Sequence, residues 1–298
     1  MKINWFPGHM TKALRTMEAE IKNIDCVIYV IDSRAPFACL NPEFDKIIKN
    51  KPVIAVLNKI DMSDEEKVKG IIPNIRDYFG ERCAIITQNS TASGALKIIL
   101  KNIENLCKEK IERNNSKGVN TFIKAMVIGV PNTGKSTLVN NLCGKAKTLT
   151  GNKAGVTRGK QWVRVSQNIQ ILDTPGTLYP NIENPKTARF LAYVGSIKDE
   201  VLDTNDLAVD LIKDLMKQYP NVLEERYKID TTGEVYEIIE RVAEVKKMVM
   251  KGGDYDYDRT CRMLIDDFRK TRLGKLTLVW KTIDKFLEKK AKFSQWCT

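Results

Sequence analysis

The chain has 298 residues, 43% hydrophobic and 29% charged, the balance of an ordinary globular protein with room for two cores. Its longest apolar runs, such as Cys26–Ile31, fall far short of a membrane span, and its start lacks the basic and apolar segments of a signal peptide, so a cytoplasmic protein is expected. The net charge of +12 is unevenly placed, with 30 Lys/Arg against 17 Asp/Glu in residues 1–198 and 19 against 20 in residues 199–298, which favours a polyanion such as RNA as partner.

Taken in order, the chain opens on Trp5-Phe6-Pro7-Gly8-His9-Met10. Leu14, Met17 and Ile21 follow at spacings of three and four, which predicts an amphipathic helix over 11–23. Cys26–Asp32 reads as a buried strand, followed by a loop with Arg34 and Pro36 and a short helix over 42–50. A second strand, 53–57, runs directly into Asn58-Lys59-Ile60-Asp61. At the carboxyl end of a strand, this N-K-x-D set suits guanine. An ionised Asp61 accepts from the ring N1–H and the exocyclic amine, and adenine, lacking donors there, would leave the carboxylate unpaired. Asn58 and Lys59 would hold the base and its loop.

A helix over 65–79, expected to be interrupted at Pro73, leads to a third strand, 83–87. Ser90 comes next, placed either to contact the guanine carbonyl or simply to cap the helix that carries Leu96, Ile99, Leu100 and Ile103. Residues 108–118 are polar and read as a helix end with a connector. The apolar run 125–128 then enters Gly129-Val130-Pro131-Asn132-Thr133-Gly134-Lys135-Ser136, which is G-x-x-x-x-G-K-S between a strand and a helix. Such a loop aims successive backbone N–H groups at phosphate oxygens, here from Asn132, Thr133, Gly134, Lys135, Ser136 and Thr137. The helix N-terminus adds partial positive charge. Lys135 would bridge the outer phosphates and the Ser136 hydroxyl would bind Mg²⁺.

The glycine-rich basic stretch 145–160 reads as a mobile loop in which Thr157 is the candidate second hydroxyl for Mg²⁺. A hairpin of 161–165 and 169–172 ends in Asp173-Thr174-Pro175-Gly176. There Asp173 would reach the metal through water and the Gly176 N–H would sense the γ-phosphate. The ligands so implied are GTP or GDP with Mg²⁺. Beyond residue 198, stripes through Leu207, Leu211, Ile212 and Leu215, through Val235, Ile238, Ile239, Val242 and Val245, and through Leu264, Ile265 and Phe268 read as core helices. Arg259, Arg262, Arg269, Lys270, Arg272 and Lys275 form a candidate RNA surface or a solvated face. Seven cysteines without C-x-x-C spacing read as core thiols.

In Ras-like GTPases the P-loop comes first and N-K-x-D near the end; here the order is reversed, a circular permutation of one parallel sheet. With its W-F-P-G-H-M start, D-S-R-A-P at 32–36, N-K-I-D, G-V-P-N-T-G-K-S, G-V-T and D-T-P-G, the sequence resembles the YlqF family of circularly permuted GTPases of ribosome assembly. The likeness covers nearly the whole chain and loosens after about residue 200. It implies an α/β fold: a circularly permuted P-loop GTPase domain over 1–185, with a mostly parallel sheet and helices on both faces. A smaller all-α domain over 186–298 would bind RNA or the ribosome. The function implied is GTP hydrolysis coupled to maturation of the large ribosomal subunit, by a monomer whose partner is that subunit and its rRNA, with neither membrane nor DNA.

Hydrolysis itself is the thin part. Ras-like enzymes place a water-positioning glutamine directly after D-x-x-G. This chain has Thr177 and then Leu178, so slow turnover in isolation is expected. Two compensations are available. Asn132 resembles the asparagine with which related GTPases hold K⁺ beside the phosphates. His9, the single histidine, can orient or accept a proton from water, or else cap backbone or touch rRNA. A GTP-dependent RNA-binding scaffold, or a signalling switch with little turnover, fits the same residues.

Overall fold

The computed structural model describes residues 7–49, 51–90, 94–118, 122–143, 161–180 and 182–280; Thr157 and the rest of 144–160 lie outside the described residues. Helix α1 (Gly8–Glu20) begins three residues before the apolar spacing predicts, because the Pro7 carbonyl already accepts the Met10 N–H at 2.8 Å, and it ends in a 3₁₀ turn over Ile21–Asn23. β1 (Cys26–Asp32) is buried at every position, as a strand covered on both faces must be. α2 (Pro42–Ile48) is capped by Asn41, whose Oδ1 accepts the Glu43 N–H at 2.9 Å. β2 (Val53–Asn58) follows.

Helix α3 (Glu65–Phe79) runs through Pro73 instead of stopping there. That proline lies on the exposed side, where helices curve outward and a missing hydrogen bond costs least. After β3 (Cys83–Thr87) and α4 (Ala95–Leu106), the stretch expected as connector is a helix of its own, α5 (Lys108–Ser116), which buries no residue. β4 (Ile123–Ile128) leads to α6 (Lys135–Leu142), and β5 (Gln161–Arg164) and β6 (Ile169–Asp173) make the expected hairpin.

The strands form one sheet in the order β3-β2-β1-β4-β6-β5, parallel throughout except for the β5–β6 pair. The chain builds outward from β1 to β3, then returns to lay β4 on β1's other side. The crevice at the carboxyl ends of β1 and β4 is therefore the switch point where such sheets bind ligands. Alternation along β1 divides the core: Cys26, Ile28 and Val30 pack under α4 and α6, and Val27, Tyr29 and Ile31 face the opposite layer.

The remaining described residues are helical: α7 (Pro185–Tyr193), α8 (Thr204–Gln218), α9 (Val222–Tyr227), α10 (Val235–Val245) and α11 (Tyr257–Arg269). Their stripes are core as predicted, apart from a half-buried Val235 and an exposed Val245. One hydrophobic cluster runs from Met10 on α1 through α7 to Trp280, so the change to all-helical structure near residue 185 is not a break in the core. Leu276–Trp280 returns to the loop after β1. There the Leu278 N–H donates to the Arg34 carbonyl at 2.7 Å, and Trp280 packs edge-on against Phe37 and Phe190.

Within the basic tail, which is otherwise exposed, Arg269 departs from the sequence reading. Arg269 is spent internally, donating to the Ala192 and Tyr193 carbonyls and pairing with both oxygens of Asp199. Lys270 and Arg272 pair with Asp266 while remaining exposed. The six described cysteines form no disulfide. Among the described residues, no helix is long and apolar enough to cross a membrane.

Candidate functional site

β4 delivers the chain into the P-loop, and α6 starts at Lys135 directly behind it. Gly134 has φ 92°, and a Cβ there would stand 2.3 Å from Asn58 Nδ2, so only glycine lets the base loop and the P-loop meet. The Lys135 side chain is buried and folds back to donate to the Val130 carbonyl at 2.7 Å. Thr133 is fully buried, its hydroxyl on the same carbonyl at 3.1 Å, while Thr137 is half-buried on the first turn of α6.

β6 brings Asp173 to this corner, 3.4 Å from the Ser136 hydroxyl through Oδ2. Burial pushes the Asp173 carboxyl pKa up, against the pull of Lys135, and the same burial pushes Lys135 down. Asp173 Oδ1 is buried without a hydrogen-bond partner among the described residues. A buried carboxylate oxygen so placed, beside a serine hydroxyl, fits a hard cation and its water shell. Gly176 packs on the loop so closely that a Cβ would lie 2.7 Å from Lys135 Nζ and from Pro131 Cα, which keeps its N–H beside the P-loop.

β2 ends on Asn58, whose Nδ2 donates to the Thr133 carbonyl at 2.7 Å and whose Oδ1 accepts both the N–H and the hydroxyl of Ser90, at 2.9 and 2.7 Å. Ser90 therefore does not cap α4, whose N-cap is Gly94, and its N–H is given to Asn58 instead of facing outward. Lys59, at φ 62°, donates to the Asn132 carbonyl at 2.6 Å and pairs with Asp32 at 2.8 Å. Asp61 is exposed on the 3₁₀ turn Ile60–Met62, at the mouth of the crevice. Asn132 is also at φ 62°, and its Nδ2 donates to the Val194 carbonyl at 2.9 Å, leaving Oδ1 as the atom it can offer a cation.

The structure brings Asn58, Lys59, Asp61, Ser90, Asn132, Thr133, Gly134, Lys135, Ser136, Thr137, Asp173 and Gly176 to one crevice. His9 is exposed on the first turn of α1, but its neighbour Met10 is buried against the switch: the Leu178 N–H points at Met10 Sδ, 3.5 Å away. Thr177 is fully buried, with its carbonyl held by Asn41 Nδ2 at 3.2 Å. Sequence reasoning gave no role to Asn41 or to Ser196, whose hydroxyl donates to the Pro131 carbonyl at 2.7 Å from the helical side. It valued Asp32 and Arg34 only as part of a likeness. The signal was present: an acid at the end of a wholly apolar strand, two residues before an arginine.

The arrangement suits a guanine nucleotide, and comparison with known proteins agrees on that ligand. The 50S ribosome-binding GTPase family matches residues 124–251, from β4 into the helical region, so N-K-x-D falls outside the match because the permutation moved it forward. A ribosome biogenesis GTPase A of Bacillus cereus is 39% identical over 280 residues, 93% of each chain. A mitochondrial ribosome-associated GTPase 1 of Xenopus tropicalis is 32% identical, over 92% of this chain and 94% of that one. Among solved structures, GDP-bound TM YlqF superposes with a TM-score of 0.67 at 25% identity, over 90% of this chain and 100% of that one. The GNP-bound YlqF of T. maritima gives 0.62 at 25% identity, over 90% and 97%. With a relative 39% identical over more than nine-tenths of both chains, the chain belongs to the ribosome biogenesis GTPase A (YlqF) family of circularly permuted GTPases.

Proposed function

We propose that this protein hydrolyses GTP to GDP and phosphate while docked on the maturing large ribosomal subunit in the cytoplasm, and that this cycle assists subunit assembly. The observation that carries the reading is the gathering of a permuted guanine-nucleotide set into one crevice, in a chain 39% identical to a ribosome biogenesis GTPase A over 93% of its length. Residues 1–185 would do the chemistry, and the basic excess of the first 198 residues would meet rRNA.

In this reading Asp61 selects guanine, Asn58 and Lys59 set its loop, and Ser90 holds Asn58 in place. The amides of Asn132–Thr137 cradle the phosphates, and Lys135 spans them. Ser136, Thr157 and Asp173 would hold Mg²⁺, which when bound neutralises charge on the phosphates, and the Asn132 oxygen would help to hold K⁺. Gly176 presents its N–H to the γ-phosphate. Thr177 is buried and its carbonyl is held by Asn41, so the residue after Gly176 offers no side chain to an attacking water. Intrinsic turnover is accordingly slow, and docking on the particle would bring His9, exposed on the first turn of α1, to bear on the water.

The test is multiple-turnover GTPase rate with and without 50S subunits, in K⁺ and in Na⁺. Stimulation by the particle, larger in K⁺, is expected. A rate that the particle leaves unchanged would turn the reading toward a scaffold that holds GTP as a structural ligand.

A further inference from the structure

The loop after β1, Asp32-Ser33-Arg34-Ala35-Pro36, has no part in the functional reading, yet it starts on a fully buried carboxylate that faces two cations. Arg34 meets Asp32 with two prongs, Nε to Oδ1 at 2.9 Å and a terminal nitrogen to Oδ2 at 2.8 Å, and Lys59 Nζ lies 2.8 Å from Oδ2. Burial alone would raise the carboxyl pKa. The guanidinium and the ammonium outweigh it and hold Asp32 well below the usual carboxylate range, an anion at neutral pH.

Lys59 spends its other bond on the Asn132 carbonyl. Lys59 and Asn132 both sit in the left-handed region at φ 62°, a conformation that a residue with a side chain keeps only where its surroundings enforce it. Here the ammonium stretched between Asp32 and the P-loop carbonyl ties the two strained residues together. The same carboxylate also works in the other direction. Arg34 donates its remaining terminal nitrogen to the Arg269 carbonyl at 2.9 Å, and its own carbonyl accepts the Leu278 N–H. The end of α11 and the 276–280 segment are thus fastened to Arg34, the partner of the carboxylate that holds the base loop.

We propose that Asp32 is a positioning residue for guanine-nucleotide binding, which holds Lys59 against the P-loop and, through Arg34, sets the base loop, the P-loop and the end of the helical region as one unit. This rests on the reading of residues 58–61 and 129–136 as the nucleotide site. Asp32 touches no nucleotide in this scheme; it acts through Lys59.

The test is a double-mutant cycle on the full chain, read by titration with fluorescent mant-GDP and by GTP turnover. Asp32→Asn is expected to weaken mant-GDP about 30-fold and to raise KM for GTP similarly, with kcat changed by less than about threefold, because ground-state binding is what is lost. In a Lys59→Met background, Asp32→Asn should add less than about twofold. Loss of Asp32 leaves Arg34 buried without its anion, so the single variant can fail to fold. The pair Asp32→Asn with Arg34→Gln removes both charges and should show the same weakened affinity. Wild-type affinity in a folded Asp32 variant would overturn the proposal, as would an equal Asp32→Asn effect with and without Lys59. A wild-type chain that binds no mant-GDP would instead remove the site reading, and the proposal with it.

Discussion

Asp173 at the end of β6 and Asp267 in α11 are both buried carboxylates, and their surroundings are opposite. Asp267 receives four donors: Arg226 through two nitrogens at 3.1 and 3.0 Å, the Tyr227 hydroxyl at 3.0 Å and Arg272 at 2.9 Å. Burial works against its charge, but Arg272, Arg226 and Tyr227 prevail and keep its pKa low. Asp173 has only a long contact from the Ser136 hydroxyl, with help from the Thr174 backbone and the Lys135 charge, and there burial prevails. A carboxylate surrounded by donors holds a fold together, whereas one left underserved is held ready for something to bind. Ser33, Gln88 and Thr177 repeat the second pattern: each lies in the loop leaving a strand, and each buries side-chain atoms without a partner among the described residues.

Exchanging the two acids is the sharpest way to break this contrast. Asp173→Asn should cut GTP turnover by about 10³-fold, because the preorganised anion at the phosphate site is gone. The unfolding midpoint in denaturant should hold or rise, since a poorly solvated charge is removed; a clear drop would make Asp173 structural. Asp267→Ala should do the reverse, costing roughly 3 kcal/mol of stability by leaving the buried Tyr227 hydroxyl and the half-buried Arg226 without their acceptor. Turnover per folded molecule should stay level. Asp61→Asn tests the rim of the same crevice. Swapping an acceptor for a donor at the guanine edge should weaken GTP about 100-fold and favour xanthine nucleotides, as competition binding would show.

Acid should erase part of the difference. The folded-state pKa of Asp267 is depressed, so its stabilisation is present above the unfolded value near about 4 and fades as pH falls through and below it. The stability gap between wild type and Asp267→Ala, measured by urea unfolding, should be widest at pH 7 and narrower near pH 3. The smallest effect in isolation belongs to His9→Ala. The intrinsic rate should stay within about twofold, while the particle-stimulated rate falls at least 10²-fold if the imidazole serves the water. A matching loss of particle binding would make His9 a docking residue.

Much of this was legible in the sequence because phosphate and guanine recognition demand fixed residue types at fixed short spacings. G-V-P-N-T-G-K-S, N-K-I-D and D-T-P-G declare themselves, and their order declares the permutation that the strand order then shows. What stayed hidden depends on partners far apart in the chain. Arg269 read as tail charge because Asp199 and the carbonyls ending α7 lie about 70 residues away in sequence. Ser90 was ambiguous until Asn58 claimed it. Pro73 argued for a break because sequence does not show which side of a helix faces water.

The return of 276–280 to the loop after β1 has a consequence in time. Ser33 and Arg34 are made early, while their partners Thr277 and Arg269 lie 244 and 235 residues further on. During synthesis the P-loop and the base loop are both complete in sequence long before this latch can close, and closing so long a loop is slow relative to local folding. A chain cut short before residue 269 would carry every nucleotide motif and still lack the fastening on Arg34. The latch between the loop after β1 and the end of the helical region is therefore among the last contacts of the fold to form.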